Sequence, residues 1–242
     1  MSRRKNKLIL IFVEGQTDQI LLDIFLEDFT ENAKDGGFNI EIIHGDLLTA
    51  FSQKGAKSLI GEKIKEYLRK YKLEASDITA VYQLTDIDGV FLDEKHIKID
   101  SNISSMRYEE NCIFVCDNDK KESIKKRNTQ KKSNISKLIR TKILKIEYKL
   151  FYNSCNLEHI ICDEMNLCQG DKTDNVLEIV SENENSDDLN NLLSPFYYIN
   201  SDMKEEEEFL NSWDYLKEDK DKILRLTNIN LLKKHLETHL FK

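Results

Sequence analysis

Six consecutive apolar residues, 8–13 (LILIFV), stop abruptly at Glu14 and Gly15, and an amphipathic segment begins at once. A run that is short, wholly apolar and rich in β-branched residues reads as a strand buried on both faces, as in a parallel sheet. A carboxylate inside such a strand would carry a high desolvation cost. At the strand's end it can meet a metal or a substrate, because open parallel sheets bind ligands beyond the carboxyl ends of their strands.

The rest of the chain repeats this alternation. Ile20, Leu21, Ile24, Phe25 and Phe29 share one helical face, which predicts a helix over 17–33 with Thr17 as N-cap. A DGG turn at 35–37 leads to a second strand, FNIEIIHG, and a helix over 56–73 follows. ITAVYQLTDIDG is a third strand and NCIFVCDND a fourth. A basic stretch then reads as a loop and a helix carrying Ile135, Leu138, Ile139, Lys142 and Ile143. YKLFYNSCNLEHII reads as a fifth strand running into a helix. Segments 203–213, 214–226 and 228–240 read as helices, and 181–192 (SENENSDDLNNL) as a linker. The expected class is α/β, a mainly parallel sheet flanked by helices, spanning 1–180, with a helical C-terminal extension over 181–242.

The length of 242 residues suits one sizeable domain, or a domain with a small appendage. The net charge of −8 hides a division. Residues 118–149 carry twelve Lys or Arg and three acids, whereas 157–221 carry nineteen acids and four Lys. The acidic run reads as solvated helix faces. The basic insertion, 118–149, is where a polyanion would gain, through Lys120, Lys121, Lys125, Lys126, Arg127, Lys131 and Lys132. No apolar run approaches the ~20 residues that span a bilayer. The basic N-terminus and short apolar run imitate a signal peptide, but a charged Glu and a helix follow directly, so a cytoplasmic chain is expected. Five irregularly spaced cysteines resemble neither a disulfide framework nor a zinc set.

Asp86 and Asp88 end the third strand two residues apart, so their carboxylates face the same side. Such a pair is what hard divalent cations take, and Gly89 lets the backbone turn. Glu14, at the end of another strand, would add a third carboxylate.

LILIFVEGQTD followed by TDIDG resembles the Toprim domain, in which one strand ends in Glu-Gly and a later strand in Asp-x-Asp. Here the matching residues are Glu14, Gly15, the later acid Asp18, and the pair Asp86 and Asp88, over about residues 6–120. The 72-residue interval from Glu14 to Asp86 is long for a minimal Toprim domain, and residues 38–73 could supply an extra βα unit. The stand-alone format is similar to the RloB and OLD-like antiphage defence nucleases. That resemblance implies Mg²⁺-dependent (or Mn²⁺-dependent) cleavage of phosphodiesters in DNA or RNA, tRNA included. Asp86 and Asp88 would hold the metal, Glu14 would be base or further ligand, and Glu158 a fourth acid. If the chain belongs to a two-gene defence system, by analogy an ATPase partner would be a separate chain, since no glycine-rich P-loop is present here.

Two alternatives start from the same residues. TDIDGVFLD also resembles the first motif of haloacid dehalogenase phosphatases, with Asp86 as nucleophile, Asp88 as acid/base and QGDKTDN at 169–175 as a closing motif. A non-catalytic docking subunit could use Trp213 and Tyr215 as anchors. Asp117 and Asp119 form a second Asp-x-Asp. His44 precedes Gly45 at a strand end, His159 follows Glu158 and reads equally as functional or structural, and His235 with His239 reads as a partly exposed helix face.

Overall fold

The computed structural model describes residues 7–45, 48, 55–183 and 185–240. Two βα crossovers open the chain: β1 (Lys7–Val13), α1 (Gln16–Phe25), α2 (Glu27–Asp35), β2 (Phe38–His44), α3 (Ala56–Tyr71) and β3 (Ile78–Asp86). Next come three short strands, β4 (Ile97–Ile99), β5 (Arg107–Glu109) and β6 (Cys112–Val115), then α4 (Asn118–Leu138). The hairpin β7 (Lys142–Ile143) and β8 (Ile146–Asn153) leads to α5 (Leu157–Cys162). The helices α6 (Gln169–Glu182), α7 (Ser186–Leu193), α8 (Glu205–Glu218) and α9 (Ile229–Leu240) follow.

The main sheet has the order β2-β1-β3-β8-β7, with β7 alone antiparallel. The architecture is therefore α/β, a mostly parallel mixed sheet flanked by helices. From β1 the chain steps outward to β2, then crosses back to β3 on the other side of β1. The sheet's topological switch point thus lies between β1 and β3, where open α/β sheets form their ligand crevice. Every residue of β1 except Lys7 is buried, which is why its sequence runs apolar without alternation.

The C-terminal helices share this core. Leu189, Leu193, Phe209, Trp213, Leu216, Leu232 and Leu236 belong to the same buried cluster as β1 and β3. The Trp213 indole N–H donates to the Leu150 carbonyl at 3.0 Å, joining α8 to β8. A second, smaller core under the three short strands contains Leu92, Ile97, Tyr108, Ile113, Val115, Cys155 and Ile223. Among the described residues, no helix is long and apolar enough to cross a membrane.

Several local expectations change. The segment 17–33 is two helices, parted at Leu26, whose φ of −110° and ψ of 13° leave the helical region. Glu27 and Asp28 then favour a new N-terminus through the helix dipole. Gly15, not Thr17, is the N-cap of α1. The fourth strand lies in the small sheet β4-β6-β5 rather than in the main one. The basic stretch is helical from its start as α4, with no loop before the helix, but the helix stops at Leu138: Lys142 and Ile143 form β7 and 146–149 open β8. Segment 181–192 holds the end of α6 and most of α7, whose Leu189 and Leu193 are buried at i, i+4 spacing. Segments 203–213 and 214–226 give one helix, α8, after which 219–228 runs irregularly. That run is held to the end of β8 by Thr227 Oγ1, which donates to the Tyr152 carbonyl at 2.8 Å.

Candidate active site

The register places the first two acids side by side. Phe12 pairs with Gln83, so two positions on Glu14 stands next to Thr85, whose hydroxyl donates to Glu14 Oε1. Asp86 is the last residue of β3 and pairs with Asn153 of β8, whose amide donates to Asp86 Oδ1 at 3.1 Å. Beyond β3 the backbone still follows β8, because the N–H groups of Ile87 and Asp88 donate to the carbonyls of Asn153 and Cys155, each at 2.9 Å. Asp88 and Gly89 then take positive φ, 55° and 63°. At Gly89 the positive φ favours glycine, and a Cβ there would push on the tip of the Ile223 side chain, 2.9 Å away.

A cavity of about 650 Å³ opens at the switch point. Glu14, Asp18, Asp86, Glu158 and Lys172 line it, together with the start of α1 at Gly15, Gln16 and Thr17. Asp18, on the first turn of α1, accepts the Gly15 N–H at 2.9 Å. Glu158, buried on α5, pairs with Lys172 of α6 at 3.1 Å.

Two lysines and an arginine balance these acids. Lys131 of α4 has no exposed side-chain surface; its Nζ is 2.9 Å from Asp88 Oδ2 and 4.0 Å from Glu14 Oε1. One helical turn earlier, Arg127 donates to the Asp88 carbonyl at 3.0 Å and to the Tyr108 hydroxyl at 3.2 Å. Burial pushes the Asp86 carboxyl well above the usual range, and the carboxylates of Asp18, Glu14 and Asp88 push the same way. Burial acts on Asp88 too, but Lys131 and Arg127 outweigh it and hold that carboxyl low. Burial raises Asp18 to about 6, against the N–H bond from Gly15.

The shift of Asp18 has a consequence for stability. Its pKa is raised on folding, so its contribution is full below the unfolded value of 3.8 and is lost as pH rises through about 6. Asp18→Asn is therefore expected to stabilise the metal-free chain by roughly 1–3 kcal/mol near neutral pH and by nothing near pH ~4. Urea unfolding of both proteins at the two pH values measures this, and equal neutral stability would refute it.

Asp88 meets Lys131 and is not among the residues that line the cavity, and the remaining acids and histidines of the sequence analysis stand apart from it as well. Asp117 is the N-cap of α4 and accepts the Lys120 N–H at 2.7 Å, and Asp119 is exposed. His44 contacts Gln19 and lines a different hollow, between β2 and α3. His159 is buried and lies 3.7 Å from Asp163 of its own segment. His235 is buried among Tyr82, Phe151 and Phe209 and contacts Glu205, so it is no exposed face. Asp171 and Asp174 are exposed on α6 and do not line the cavity. Of the seven basic residues, Arg127 and Lys131 turn inward. Lys125 pairs with Glu122 at 2.8 Å, Lys132 is half-buried, and Lys120 and Lys126 are exposed with Lys121 between.

Asn153 and Lys172 escaped the sequence analysis. Asn153 carries a weak signal, a polar residue at the end of an apolar strand. Lys172 carries none, since only packing sets it against Glu158.

All five cysteines are free thiols. The acids offer the hard oxygen donors that Mg²⁺ takes, and the crowding at Asp86 is what a cation would relieve. Their placement is another matter. Among the described residues, no three Asp, Glu, His or Cys side chains are arranged to hold a metal ion. The group that meets Asp88 is an ammonium. The residues thus fit a divalent ion in kind but not as they are placed.

No protein-family model, no curated protein and no solved structure matches this chain.

Proposed function

We propose that this protein is a divalent-ion-dependent nuclease that cleaves phosphodiester bonds in DNA or RNA. The carrying observation is the convergence of Glu14, Asp18 and Asp86 on one cavity at the carboxyl edge of β1 and β3, beside the N-terminus of α1. Mg²⁺ or Mn²⁺, when bound, would supply Lewis-acid charge to the phosphate. The chain's own groups do the rest. The first N–H groups of α1 and the Lys172 ammonium present positive charge to a phosphate in the cavity. Thr85 and Asn153 fix the orientations of Glu14 and Asp86.

The exposed N-terminal turns of α4 would carry the polyanion. With Arg127 and Lys131 committed inward, Lys120, Lys121 and Lys126 are cations near the start of α4 that remain for it. Changing these three to alanine is expected to weaken polyanion binding and to flatten the dependence of log K on log salt by about 2–3. Fluorescence anisotropy over a salt series reads this, and an unchanged slope would make the face a solvated one. A Toprim-like identity, a role in antiphage defence and a separate ATPase partner belong to the same proposal and rest on the motif resemblance.

The experiment is a cleavage assay of the purified chain on single- and double-stranded DNA and on tRNA, with Mg²⁺, with Mn²⁺ and with chelator. Cleavage that needs the ion and is lost in Glu14→Gln supports the proposal. Cleavage of none of these substrates, or equal cleavage by Glu14→Gln, sets it aside.

A further inference from the structure

We propose that the Lys131 ammonium is the resident cation of the acidic centre, and that a divalent ion reaches Asp88 and Glu14 only by displacing it. The inference rests on the metal-dependent reading above and adds how that site is controlled.

Four observations carry it. Lysine is almost never fully buried unless paired, and Lys131 has no exposed side-chain surface. Its Nζ lies between two acids from different strands' ends, 2.9 Å from Asp88 and 4.0 Å from Glu14. The Asp88 backbone is clamped from both sides, its N–H by the Cys155 carbonyl and its carbonyl by Arg127. The main chain that carries the Asp88 carboxylate is therefore fixed beside Lys131. Finally, no three potential ligands among the described residues come together to hold an ion: Glu14, Asp18, Asp86 and Glu158 line the cavity, while Asp88 lies beside it against Lys131. An ammonium already placed among them accounts for this. A monovalent cation neutralises the centre without offering a Lewis-acid position, so the chain folds with its acids compensated and its metal position closed. Loading a divalent ion then means swinging Lys131 away from Asp88.

Thermal unfolding and Mn²⁺ binding test this on the full chain, with no nucleic acid present. The proteins are wild type, Lys131→Met, Lys131→Met/Asp88→Asn and Lys131→Arg. With chelator, Lys131→Met is expected to melt roughly 5–10 °C below wild type, because two buried acids lose their cation. Mn²⁺ should restore most of that loss, and free Mn²⁺ measured by electron paramagnetic resonance should show at least about tenfold tighter binding than wild type. The double variant should regain stability with chelator and lose the Mn²⁺ rescue. Lys131→Arg, which keeps the charge, should bind Mn²⁺ no more tightly than wild type. If Lys131→Met does not fold, Lys131→Gln carries the Mn²⁺ measurement with the same expectation. The proposal is overturned if removing the ammonium leaves Mn²⁺ affinity unchanged or weakened, or if Mn²⁺ leaves the melting temperature of the lysine variant unmoved. A chain that passes these tests and cleaves nothing refutes the nuclease alone. A chain that cleaves with Mg²⁺ while Lys131→Met gains no affinity refutes the resident cation alone.

Discussion

Asp86→Asn is expected to lower ion-dependent phosphodiester cleavage by at least roughly 10³-fold while leaving the fold intact. Asp86 sits at the end of β3 with its carboxylate crowded by Asp18, Glu14 and Asp88, and burial compounds the crowding. Removing its charge takes a repulsion out of the folded state, so the variant should melt at or above the wild-type temperature. The Asn153 amide keeps an acceptor in the new carboxamide oxygen, so the strand-end geometry survives. Single-turnover cleavage with circular dichroism melting on the same preparation separates the two effects. Wild-type cleavage by the variant would remove Asp86 from the site, and a lower melting temperature would show that the carboxylate is structural.

Trp213→Ala is expected to cost roughly 3–5 kcal/mol of folding stability. The indole is fully buried, stacks edge-on against Tyr152 at 4.7 Å and donates to the Leu150 carbonyl of β8. Truncation leaves both a cavity and an unpaired carbonyl, and the two penalties add. Tyr215, two residues on and about half exposed at 49%, is the control. Tyr215→Ala should change stability by no more than about 0.5 kcal/mol. Urea unfolding of both decides whether Trp213 is a core residue or the docking anchor its neighbourhood of charges suggests. A near-neutral Trp213→Ala would restore the docking role.

The strand ends were readable because the signal is local. An unbroken apolar run that stops on an acid marks a buried parallel strand and its carboxyl edge without reference to any other part of the chain. Glu14 and Asp86 do stand at strand ends, Asp88 lies two residues past β3, and the α/β class follows from the same signal. Residues 181–192 misled for a related reason. Their polar composition conceals Leu189, whose partner Leu193 lies one helical turn on and just past the segment, and a two-residue apolar stripe is too narrow to stand out from eight residues of helix.

What the chain's own sequence determined, then, is which segments form the buried sheet and which acids stop them. The tertiary structure alone decided what those acids meet. Asn153 reaches Asp86 through the register between β3 and β8, which no single segment encodes. The short β6, with the same apolar-then-acid pattern as β3, was sent to a separate sheet. In α4, a helix whose charges look alike in sequence, docking chose Arg127 and Lys131 to face inward and left Lys120 and Lys126 outside. Periodicity can report that a helix has faces. Which face a lysine must occupy depends on the charge it finds across the interface, and that charge comes from β1 and the turn after β3, both far away in the chain.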